Sequence, residues 1–130
     1  MFTLSQIKET HAKVKSGADF PKYIQELSTL GILAYTSYVS DGHAEYTGTD
    51  SHTLISDAKY AALAIASESN AEAFKNHLKS HQQGQTDYFT FCKQAAETGI
   101  EKWVVDAVNM TCTYYDMQAN VILVEEIPNV

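Results

Sequence analysis

The chain has 130 residues, 45% of them hydrophobic and 19% charged, enough for one ordinary domain with a real core. All nine basic residues are Lys, against sixteen acidic ones, for a net charge of −7. With no Arg to fork onto phosphates, the chain is a poor candidate for direct nucleic-acid binding. The low Pro and Gly content excludes a disordered or collagen-like chain, and no apolar run is long enough to span a membrane.

The first residues, MFTLSQIKETHAKVK, do not read as a secretory signal. Cys92 and Cys112 are too few for a disulfide framework and have no CxxC spacing. These features together predict a cytoplasmic protein. The first helix is expected from about Thr3 to Lys15, with Leu4, Ile7, His11 and Val14 on one face and Gly17 as its stop. A second should open at Asp19, whose carboxylate is expected to cap it, with Pro21 in the first turn and a stripe of Phe20, Tyr23, Ile24, Leu27 and Leu30. Gly31 sits where a left-handed C-cap is wanted. Strands are expected over 32–40, 43–47 and 52–55, with Asp41-Gly42 as a two-residue hairpin turn. The stretch 57–70 is ambiguous, and 63–66 could be a short strand or a helical turn.

The remaining chain reads the same way. Helices are expected over about 71–83 and from Thr86 or Asp87 to Gly99, the second with Tyr88, Phe91, Cys92 and Ala95 on its apolar face. Strands follow at 101–107, 111–116 and 121–127. GADFPKYIQELSTLGI (17–32) aligns with GQTDYFTFCKQAAETGI (84–100), pairing Asp19 with Asp87, Phe20 with Tyr88, Tyr23 with Phe91 and Gly31 with Gly99. Farther along, Tyr35 aligns with Trp103 and Tyr46 with Tyr114. The expected fold is therefore α+β, one domain built of two ααβββ repeats (about 3–56 and 71–127) joined by 57–70. The repeats would be related by a pseudo-twofold duplication, with an antiparallel sheet packed against helices over a shared core.

Candidate chemistry is sparse. Asp41, His43, Glu45 and His52, with Asp50 nearby, gather carboxylates and imidazoles around a hairpin and could serve a metal-dependent or acid/base hydrolase. A polar hairpin with Asp41 and Gly42 chosen for the turn is the plainer reading. His77 and His81 are four apart on an expected helix and could share a metal ion, but HLKSH lacks the Glu of the metalloprotease motif. Packing histidines are the expectation there, with no metal and no cofactor. No nucleophile elbow, phosphate loop or dinucleotide turn is present. Tyr35, Tyr38, Tyr46, Trp103 and Tyr114 fall on expected strands and could line an apolar ligand pocket, or simply fill the core.

The phrases GADFPKYIQEL, YVSDGH, QQGQTDYFTFCKQAAETGIEKWVVD, MTCTYYD and ILVEEIP resemble a family of small bacterial and prophage-borne proteins of unknown function. That family is typified by YdfO and sometimes labelled phage envelope protein. The resemblance covers essentially the whole chain and implies an α+β fold. It implies no activity, cofactor or site residue. The functional expectation is a non-enzymatic module that binds a protein or a small ligand, or pairs as a homodimer through an edge strand. The hydrolase is the first alternative, and an acidic phage-derived inhibitor of a nucleic-acid-binding protein is the second.

Overall fold

The computed structural model describes residues 2–14 and 19–128, with the backbone alone at Asp50. Four helices and six strands make an α+β fold. Helix α1 (Leu4–His11) and helix α2 (Phe20–Thr29) precede strands β1 (Ile32–Tyr38), β2 (Ala44–Gly48) and β3 (Thr53–Ile55). Helices α3 (Ala71–Gln82) and α4 (Tyr88–Glu97) precede β4 (Ile100–Asp106), β5 (Thr111–Asp116) and β6 (Val121–Glu126). The strands form one antiparallel sheet in the order β3-β2-β1-β4-β5-β6. Its centre is the β1–β4 pairing, where Thr36 faces Val104.

Local chemistry sets the helix ends. Thr3 and Gln6 close a capping box on α1, each side chain accepting the other residue's backbone N–H. Asn70 caps α3 through Ala73 N, and Asp87 caps α4 through Thr90 N at 2.7 Å. Asp19 departs from the expectation: its backbone is already helical, so its carboxylate does not cap α2, and its interactions lie elsewhere. The α1 helix stops at His11, short of the expected Lys15; that residue and Gly17 lie outside the described residues.

The Asp41-Gly42 turn is also wider than a two-residue hairpin. Tyr38 N donates to His43 O and Gly42 N donates to Tyr38 O, leaving four residues between Tyr38 and His43. Val39 explains the width: its N–H goes to Glu101 O and its side chain is buried, so this stretch follows β4 rather than β2. The 57–70 stretch is neither strand nor helix. Its backbone donates to Asp41 O, Ser40 O, Ala96 O and Thr98 O, tying the first hairpin to the end of α4.

Buried and half-buried residues alternate along β1, β2, β4 and β5, so one sheet face takes the helices. Helix α2 packs on β1 and α4 on β4. Ile24, Leu27, Phe74, Ile32, Ile100 and Val105 are fully buried, each worth about 1.5–3 kcal/mol of apolar burial. Residues of both halves meet in one apolar cluster. Cys92 and Cys112 are buried in it as free thiols.

Candidate functional site

Each helix packs on its partner within its own half, α1 on α2 and α3 on α4. Between the two pairs the sheet is left partly uncovered, and a cleft of about 1180 Å³ opens there. Its floor holds Tyr35 and Tyr46 from the first half and Trp103 and Tyr114 from the second. Ser37, paired with Trp103 across β1 and β4, and Cys112 of β5 add small side chains to its lining. The walls come from Ile7 and His11 of α1, Tyr23 of α2, Leu78 and His81 of α3, and Phe91 of α4.

The rings interlock. Tyr35 and Tyr46 have centroids 5.4 Å apart, and Trp103 and Tyr114 5.9 Å. Phe91 lies 5.7 Å from Trp103 and stacks on His81 at 4.5 Å. The four floor aromatics are at most 8% exposed and belong to the core cluster while bordering the cleft. These four residues are thus core and pocket floor at once.

Burial raises the phenols of Tyr35, Tyr46 and Tyr114 above the usual tyrosine range. Tyr23 is raised too, first by burial and then by the neighbouring Tyr46 phenol. Burial also pushes the Cys112 thiol up to about 12, which leaves it a poor nucleophile. The cleft therefore offers neutral hydroxyl tips on an apolar floor. Tyr114 donates to Glu125 Oε1 at 3.4 Å, and Gln82 donates to the same carboxylate at 3.1 and 3.3 Å.

Of the five aromatics singled out from sequence, Tyr38 is not in the cleft. Strand alternation turns it to the opposite face from Tyr35 and Ser37, where it stacks on His43 at 4.4 Å. The hairpin group spreads as well. Asp41 Oδ1 meets His43 Nδ1 at 2.5 Å and accepts its backbone N–H at 3.0 Å. Those His43 bonds hold the Asp41 carboxyl below its usual range. Such a pair orients an imidazole, but the same bonds also close the turn. His52 leaves the group, with Nε2 at 3.3 Å from Phe2 O and its ring against Phe2. Glu45 follows the strand alternation away from Tyr46.

His81 borders the cleft with Nδ1 on Thr86, and burial lowers its pKa. His77 is one turn away and half-buried. Among the described residues, no three His, Cys, Asp or Glu side chains converge as metal ligands. Sequence reasoning missed His11, Lys59 and Tyr88 at the cleft mouth. In the sequence His11 reads as part of an apolar stripe, Tyr88 as part of a helix face, and Lys59 lies in the ambiguous 57–70 stretch.

The family described as "Protein of unknown function (DUF1398)" matches residues 8–126. This chain belongs to that family. The match runs from within α1 to the last residue of β6, so both sides of the cleft fall inside the DUF1398 region. The chain is also similar to "Uncharacterized protein YcgX" of Escherichia coli (strain K12). The two are 20% identical over 117 residues, 90% of this chain and 87% of that protein. Among the described residues, no helix is long and apolar enough to cross a membrane.

Proposed function

We propose that this DUF1398 protein is a non-enzymatic module that takes a small, largely apolar molecule into the cleft between its helix pairs. The observation carrying this reading is the cleft of about 1180 Å³ over Tyr35, Tyr46, Trp103 and Tyr114. Concave, mostly apolar sites with a few polar tips are the usual setting for small ligands. The neutral phenols supply hydrogen-bonding tips without a fixed charge.

The finer architecture in this proposal is one domain of two duplicated ααβββ units joined by 57–70, with the cleft along their pseudo-twofold. Three observations support it. The sheet order runs outward from β1 and β4 in the same way on both sides. The strands carry a register shift at the same place, after Ile32 in β1 and after Ile100 in β4. The central pair, Thr36 and Val104, joins two residues that the repeat alignment makes equivalent. The narrower grouping with the YdfO-typified proteins rests on the sequence phrases alone.

Trp103 is the chain's single Trp and borders the cleft, so it reports on occupancy directly. Titration with the neutral probe N-phenyl-1-naphthylamine should change its emission saturably, with one probe per chain and micromolar affinity. Ser37→Phe, which fills the floor, should abolish binding while leaving the far-ultraviolet circular dichroism unchanged. Absence of saturable binding by this and related apolar probes would overturn the proposal.

A further inference from the structure

We infer that the cleft's ligand carries an acidic head, a carboxylate or similar single anion on an apolar body, received by Lys59 and His11 at the cleft mouth. The inference rests on the cleft being a ligand site and adds the ligand's chemical class. Lys8, His11 and Lys59 all border the cleft. In a chain of net charge −7, such cations would ordinarily find carboxylates. None does: the ion pairs among the described residues are Lys13–Glu26 and Asp41–His43.

The acids around the same cleft are engaged otherwise. Asp87 accepts Thr90 N at the start of α4, and Glu125 accepts from Gln82 and Tyr114. Glu126 is exposed at the end of β6 and pairs with none of the three. Lys59 and His11 sit where the aromatic walls begin. Lys59 Nζ lies 5.4 Å from the centre of the Tyr88 ring, and the His11 ring meets Tyr23 edge-on at 5.3 Å.

Their electrostatics fit an unmet anion. Desolvation beside the cleft wall lowers the Lys59 ammonium, although the side chain stays open to solvent. Desolvation also lowers His11, and the Lys59 charge lowers it further. The two groups are close enough for the Lys59 charge to act on His11, and an ammonium and an imidazole N–H are both donors to a carboxylate. An apolar acid entering tail-first would rest its body on Trp103 and Tyr35 and leave its head at this pair.

The test compares two probes with the same aromatic body. One is 8-anilinonaphthalene-1-sulfonate, an anion; the other is neutral N-phenyl-1-naphthylamine. The native chain should bind the anion about tenfold more tightly at low salt, and added salt should weaken only that probe. Lys59→Met should remove the preference by weakening the anion about tenfold and leaving the neutral probe within about twofold. Decanoate should displace the anionic probe where the neutral alcohol of equal length does not. Equal binding of the two probes, unmoved by Lys59→Met and His11→Gln, would overturn the anionic head while sparing the cleft. Loss of both probes from the native chain would overturn the cleft as well.

Discussion

The His81 ring lies flat against Phe91, and its Nδ1 faces the Thr86 carbonyl and hydroxyl at 3.0 and 3.1 Å. Burial disfavours its charged form more than the Thr86 and Asp87 oxygens favour it, so its pKa falls below 6.5. A group lowered on folding takes up its proton more readily in the unfolded chain. Its stabilisation is complete above the unfolded pKa and is lost as the pH falls through the folded value. His11 is lowered by its own burial and by Lys59, and acts in the same direction. Melting temperature should therefore drop between about pH 7.5 and about pH 5.5. His81→Phe keeps the aromatic stack and removes one titrating group, so it should flatten part of that drop and leave the His11 part. A variant whose pH profile parallels the native one would show that His81 is not coupled to folding.

At the scale of elements, two glycines that the sequence makes equivalent turn out to differ. Gly31 and Gly99 end the second helix of each half with φ of +96° and +84°, a region where a Cβ costs about 1–2 kcal/mol. At Gly31 an added Cβ meets only Thr49 Oγ1, at 3.9 Å. At Gly99 it would lie 2.7 Å from both Glu68 O and Ser69 Cα, backbone atoms that cannot swing aside. Gly31→Ala should cost about 1 kcal/mol and Gly99→Ala about 3 kcal/mol in urea unfolding. Equal costs would mean that the 57–70 stretch gives way freely. The stops at Gly31 and Gly99 and the positions of the strands along the chain were legible because Gly punctuation and period-two alternation are local signals. The approach of Glu68 and Ser69 to Gly99 was not, because that stretch has no periodicity and its partners are distant in sequence. Likewise the repeat pairs Asp19 with Asp87, yet only Asp87 caps its helix, because Asp19 is already helical and cannot present its carboxylate to free N–H groups.

At the scale of the molecule, the sequence showed which residues were apolar but not where the two helix pairs would part. Tyr35, Tyr46, Trp103 and Tyr114 read equally well as core or pocket because they are both, and only the packing of distant elements opens the cleft beside them. The β1–β4 pairing has no local signal either, since it joins strands whose partners lie far apart along the chain. That pairing governs how the molecule should unfold. The two halves share the central strand pair, one apolar cluster and the 57–70 backbone bonds that reach Ser40, Asp41, Ala96 and Thr98. Three strands and two short helices alone leave little core for either half. Neither half should survive the loss of the other. Trp103 emission, which reports on β4, and far-ultraviolet circular dichroism, which reports on all helices, should follow one coincident urea transition. Hydrogen exchange should give β1 and β4 amides the same opening free energy, because separating the central pair exposes both. Two resolved transitions, or a β1 that opens while β4 stays protected, would instead make the halves two units joined at an edge.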